Sequence, residues 1–200
     1  MTQQVPYTRV IVHQFDPDHP AVGGVDTCIR DMLLFAPSSE RILLVGVSRS
    51  RPLRKLVTLG GDYEGVDFVP VSRADPGNQL RRVPHSIRVA FGAAPVLFRT
   101  PLRGAVLKVH RLEAGLIARL KRAHAHVFFV HTNTAASLRA SSDSFWRRAP
   151  LIFRFLETRL MKGVDLTIVF NRASADEYAA RGLRVQYMTT WFNHLLFKPP

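Results

Sequence analysis

The sequence predicts an α/β domain with a Rossmann-like, doubly wound and mostly parallel sheet. Three observations carry that expectation. Short apolar runs alternate along the chain with segments of helical periodicity. The runs are apolar throughout instead of alternating with polar residues, which marks strands covered on both faces. Strands separated by helices are joined by right-handed crossovers and so pair in parallel.

The elements follow in order. RVIVHQF (9–15) is a β-branched run that reads as a buried strand. Gly23 and Gly24 follow it and open a helix over 25–35. RILLVGV (41–47) is the next strand, and LRKLVTL (53–59) and VDFVPV (66–71) read as strands around the Gly60-Gly61 turn. A helical stretch over 79–98 is interrupted by Pro84 and Pro95, with Gly92 a further argument against one continuous helix. AVLKVH (105–110) is a strand, EAGLIARLKR (113–122) a helix and HVFFVH (126–131) a strand. The polar stretch 137–145 reads as a loop. Pro150 suits a first helical position and Gly163 a C-terminal cap, and Ile152, Phe155, Leu156 and Leu160 repeat between them at helical spacing. DLTIVF (165–170) is a strand, Asn171 an N-cap for a helix to Arg181, and VQYMTT (185–190) the last strand.

Open sheets of this kind bind ligands beyond the carboxyl ends of their strands. Attention therefore falls on the loops at 16–24, 72–78, 110–113, 131–144 and 171–174. The glycine loop HPAVGGV (19–25) comes first, because Gly23 and Gly24 let a ligand approach the backbone at a helix N-terminus, which suits a phosphate. A plain strand-to-helix turn explains it equally well. There is no G-x-G-x-x-G and no G-x-x-x-x-G-K-[ST], so neither a dinucleotide site nor a P-loop is supported. His131 ends the VFFV strand and can donate to a phosphate or hydroxyl, or carry a proton. Asn133 and its neighbouring threonines add hydrogen-bonding groups; the alternative is a satisfied histidine under a loop. His110 and Glu113, at the end of the preceding strand, are candidates to bind a hydroxylated acceptor, although Glu113 also reads as a helix cap. His124, His126 and His131 do not make a metal site: alternation sends 126 and 131 to opposite faces, with no carboxylate or cysteine beside them. Cys28 reads as a packed thiol.

Composition bounds the rest. Two hundred residues, 46 % apolar, build one large domain or two small ones. With 28 basic and 15 acidic residues the net charge is +13, which points to nucleic acid, an anionic membrane surface or a phosphorylated ligand, or else to arginine decorating solvated faces. Arg81, Arg88 and Arg99 share a helical stripe opposite Val83, Ile87, Phe91, Ala94 and Phe98. That is the pattern of a basic amphipathic helix, and also of an ordinary surface helix with its apolar side in the core. A single cysteine forms no internal disulfide. The first residues lack the pattern of a signal peptide, and no apolar run approaches the roughly 18 residues of a membrane span, so the expectation is a cytoplasmic protein, peripheral to the inner face of a membrane at most.

Five stretches in order are GGVDTCIRDML (23–33), VHRLEAGLIARLK (109–121), VFFVHTNTAASL (127–138), FLETRLMKGVDLTIVFN (155–171) and TTWFNHLLFKPP (189–200). Together they resemble the N-terminal domain of GT-B glycosyltransferases of the retaining, family-4-like type. The resemblance implies one lobe of a GT-B architecture over residues 1–189. Residues 190–200 would begin an interdomain linker, with the C-terminal donor-binding domain absent. It implies transfer of a sugar, without metal or other cofactor and with retention of configuration, from a nucleotide-diphosphate donor to a hydroxylated acceptor such as a lipid or cell-envelope glycan. Gly23 and Gly24 match the glycine loop near the donor diphosphate. His131 matches the catalytic-cleft histidine that contacts the transferring sugar or its phosphate. Glu113 falls in the acceptor half. Family members that bind membranes do so through basic surfaces of this domain, which gives Arg81, Arg82 and Arg88 an anionic surface as partner. The chain departs from the family in lacking the basic pair and paired glutamates of the second domain, and in having Asn171 where serine is usual. A lone lobe is expected to turn over negligibly. The competing expectations are a basic nucleic-acid-binding module, disfavoured by the doubly wound pattern, and a non-catalytic membrane or scaffold domain.

Overall fold

A computed structural model describes residues 6–74, 83–131, 146 and 149–189. Arg81, Arg82, Asn133 and the expected linker 190–200 lie outside these residues.

Eight strands form one sheet in the order β3-β4-β2-β1-β5-β6-β7-β8. They are β1 (Arg9–Val12), β2 (Ile42–Ser48), β3 (Val57–Thr58), β4 (Asp67–Arg73), β5 (Val106–Val109), β6 (Ala125–Val130), β7 (Leu166–Val169) and β8 (Val185–Tyr187). All pairings are parallel except β3 with β4, the hairpin around Gly60 and Gly61. The chain runs outward from β1 to β2 and β4, then returns to pair β5 on the other side of β1. That reversal puts the topological switch point, where such sheets bind ligands, at the carboxyl ends of β1 and β5.

Helices cover both faces: α1 (Gly24–Leu34), α2 (His85–Arg99), α3 (Leu112–Ala118), α4 (Pro150–Met161) and α5 (Arg172–Ala180). Alternate residues of each strand enter separate cores. Val10, Val12, Leu107 and Val109 join Val89, Ala93 and Leu97 of α2, while Ile11, Phe68 and Phe129 join Ile29 and Met32 of α1. Burying both faces is the reason the strands are apolar throughout.

Four sequence expectations change. Of the stretch read as interrupted, Pro84 does stand just before the first turn of α2, but the helix runs on unbroken through Pro95. Gly92 is a contact there and not a break: a Cβ on it would lie 2.6 Å from the Val71 carbonyl oxygen, so its lack of a side chain lets helix and strand meet. The core face of α2 is Ser86, Val89, Ala90, Ala93 and Leu97, whereas Val83, Phe91 and Phe98 of the expected apolar stripe are exposed. On α4, Leu160 is fully buried but Ile152 and Phe155 face solvent. The third strand shrinks to Val57–Thr58. Asn171 does cap α5, its side-chain oxygen accepting from the Ser174 N–H at 3.3 Å.

Candidate functional site

Four neighbouring strands each place a ring one residue beyond their carboxyl ends: His13 after β1, His110 after β5, His131 after β6 and Phe170 after β7. Register dictates how these rings meet. Val12 pairs with Val109, and Val109 with Phe128, so His13, His110 and Phe129 form one row. Val130 pairs with Val169, so His131 and Phe170 form the next row out. Because side chains of parallel strands alternate in phase, all five rings share one face of the sheet.

The contacts bear this out. The His110 ring stacks on Phe129 with centroids 4.5 Å apart, and His131 stacks on Phe170 at 4.7 Å. His110 Nδ1 lies 2.8 Å from His131 Nε2, a hydrogen bond between the rings. The edge of His13 meets His110 at 5.5 Å between centroids. His13 Nε2 is 3.8 Å from Asp26 Oδ1 in the first turn of α1, and the other oxygen of Asp26 accepts from the Ala21 N–H at 2.9 Å. The glycine loop and His131 are therefore joined through Asp26, His13 and His110 at one end of the sheet.

Gly23 and Gly24 head α1 with open space on their Cα atoms: a Cβ at either would meet nothing within 4 Å. Gly23 is extended (φ 176°), a conformation open to any residue, so access and not backbone strain is what these glycines offer. Burial, and behind it the Arg111 guanidinium, pushes His131 down to about 4. Burial first, with neighbouring positive groups next, holds His13 and His110 well below the ordinary histidine range. All three rings are neutral near pH 7. Burial raises the Asp26 carboxyl. Arg111 is exposed at the head of α3, its guanidinium without a hydrogen bond or ion pair among the described residues, and its charge acts on all three histidines.

Other expected site residues sit differently. His110 is 5 % exposed, so its ring lies beneath the crevice instead of lining it. Glu113 Oε1 accepts from Ser86 Oγ at 2.7 Å and from Trp146 Nε1 at 2.8 Å, a brace from α3 to α2 and to Trp146. Arg88 is half-buried. His126 lies on the opposite face, its Nε2 bonded to the carbonyls of Ala118 and Lys121, and among the described residues no group of three or more His, Cys, Asp or Glu is placed to hold a metal. Cys28 is a buried thiol. Sequence reasoning missed His13 and Asp26, and singled out the segment 110–113 without giving Arg111 a role. The signal for His13 was present: each of these strands ends in a ring, and once four are aligned the rings must converge.

No protein-family model matches the chain, and no curated protein matches it in sequence. Among solved structures, sucrose-phosphate synthase from Thermosynechococcus elongatus matches 98 % of the chain with a TM-score of 0.69 at 12 % identity. The fold is Rossmann-like, that of one lobe of a GT-B architecture. The chain spans about half of that synthase, 51 % of its length. A second structure of sucrose-phosphate synthase from the same organism matches 93 % of this chain and 90 % of its own, with a TM-score of 0.53 at 8 % identity. At these identities the likeness speaks for the fold.

Proposed function

We propose that the chain is the acceptor-side lobe of a retaining glycosyltransferase. It would act with a second, donor-binding lobe to move a sugar from a nucleotide diphosphate to a hydroxylated acceptor, a lipid or envelope glycan among the candidates. The observation that carries this reading is the convergence of the open Gly23-Gly24 loop, Arg111 and the His131 ring at the switch point. As the glycosidic bond breaks, negative charge grows on the leaving diphosphate. A helix N-terminus and a cation aimed at that charge lower the barrier. In this reading His131 contacts the transferring sugar or its phosphate, and Asn133 and Glu113 serve the acceptor. The reaction needs no metal or other cofactor from this lobe.

The test is ligand perturbation in amide NMR spectra of this chain, titrated with nucleotide sugars and simple sugars. Shifts should concentrate at Gly23, Gly24, Arg111 and His131. Shifts elsewhere, or binding only to nucleic acid with a steep salt dependence, would remove the reading.

A peripheral, cytoplasmic-face membrane attachment is proposed on a separate observation. On α2, Phe91 and Phe98 are exposed beside Arg99, with exposed Val83 just before the helix, an apolar stripe flanked by positive charge. Among the described residues no helix is long and apolar enough to cross a membrane.

A further inference from the structure

We propose that His110 is a positioning residue that donates from Nδ1 to His131 Nε2 and thereby fixes the His131 proton on Nδ1, making His131 a neutral hydrogen-bond donor toward substrate. The idea deepens the transferase reading and rests on it for the word substrate, but its test does not.

Two arrangements satisfy the 2.8 Å contact between the rings. A neutral imidazole has one N–H and one bare nitrogen, so the role of either ring decides the other. If His131 donates from Nε2, His110 must carry its proton on its own Nε2. That atom is buried without any partner, so an orphaned N–H results. If His110 donates from Nδ1 instead, its buried Nε2 holds only a lone pair. Buried N–H groups without an acceptor are rarer in folded proteins than acceptors without a donor. The second arrangement is therefore favoured, and it leaves His131 with a bare Nε2 and a protonated Nδ1.

The outer nitrogen faces outward. His131 Nδ1 has no hydrogen bond among the described residues and is not among the atoms sealed from solvent. Around the pair stand His13 from β1, Asp26 from α1 and Arg111 from the head of α3, with Phe129 and Phe170 closing the stack. The two-ring bond and the stacking hold the His131 plane as well as its proton. A base needs a bare nitrogen toward the reacting group. The arrangement offers an N–H, which suits a sugar hydroxyl or phosphate oxygen and not proton removal.

The tautomer is directly observable. Two-bond proton–nitrogen correlation spectra of the histidine-labelled chain at neutral pH should show His131 with a protonated Nδ1 and a bare Nε2. His110→Phe keeps a ring on Phe129 but removes the donor, and the single His131 tautomer should be lost. His110→Asn, whose amide N–H reaches the place of the imidazole Nδ1–H, should restore it. A wild-type His131 protonated on Nε2, or a tautomer unchanged in His110→Phe, overturns the proposal. The wild-type spectrum decides alone if the variants do not fold. No transfer assay enters, so failure here leaves the transferase reading standing, and failure of that reading leaves this result standing.

Discussion

Burying an imidazole removes solvation from its charged form more than from its neutral form. His13, His110 and His131 fold neutral for that reason first, with Arg111 adding repulsion. In the unfolded chain each titrates near about 6.5. Below that pH the unfolded state binds protons the folded state refuses, so stability falls as pH falls. For His131 the loss runs from about pH 6.5 down to about 4, where the folded ring also protonates. Each displaced histidine contributes up to about 1.4 kcal/mol per pH unit within its window. Three together reach roughly 4 kcal/mol per pH unit, a large part of a stability of about 5–15 kcal/mol. Urea midpoints should therefore hold nearly level from pH 7.5 to about pH 6.5 and then fall toward pH 5, less steeply in His110→Phe. A profile level all the way to pH 5 would mean that the rings are solvated and the cluster is not as described.

At the scale of elements, α2 shows what the sequence could and could not say. Its charged stripe and its apolar stripe were both legible at 100° per residue. Which apolar side faces the sheet was not, because the true core face mixes Val89 and Leu97 with Ser86, Ala90 and Ala93, small residues that carry little hydrophobic signal against the larger Phe91 and Phe98 on the other side. Those three are small where the helix lies tight against β4, as the contact of Gly92 with Val71 requires. The same holds on α4. Leu160 packs against Gly115 of α3 and is buried, while Phe155, of similar apolar character, is 68 % exposed. The alternation of strands and helices was read in full because burial on both faces leaves no other composition. The crevice was read in part: His131 and the glycines stood in their loops, but His13 was hidden inside a run that looked like plain strand. The exposed stripe on α2 has a direct consequence. If it lies on an anionic bilayer, burying one phenylalanine there contributes about 1.5–3 kcal/mol, so Phe91→Ser or Phe98→Ser should weaken vesicle binding roughly 10-fold or more. Arg99→Glu should weaken it as well, and more at low salt than at high. Both rings are exposed, so neither change should alter the melting temperature much. Cosedimentation with phosphatidylserine-containing vesicles measures this. Equal binding by wild type and both serine variants would show that the stripe is not the contact.

The whole molecule carries +13 charge, and its mostly parallel sheet brings the glycine loop and the histidine cluster to one end. Its likeness to sucrose-phosphate synthase extends over about half of that chain. A leaving nucleoside diphosphate must be met on more than one side by preorganised positive groups, and closure over it excludes the water that would otherwise weaken them. Among the described residues Arg111 acts on all three histidines and Lys108 on His110, and these two cations stand on one side only. In the proposed two-lobed enzyme the remaining contacts come from the partner lobe. Removal of a single oxyanion-stabilising donor typically costs about 10²–10³ in turnover. If the donor contacts lie in a second lobe as proposed, this chain by itself should turn over at no more than about a thousandth of the two-lobed rate. Nucleotide release from a panel of nucleotide sugars, measured with the chain alone and again with the second lobe joined to it, tests the point. Rapid transfer by the chain alone would mean that its own crevice completes the site, and the second lobe would have no catalytic work left.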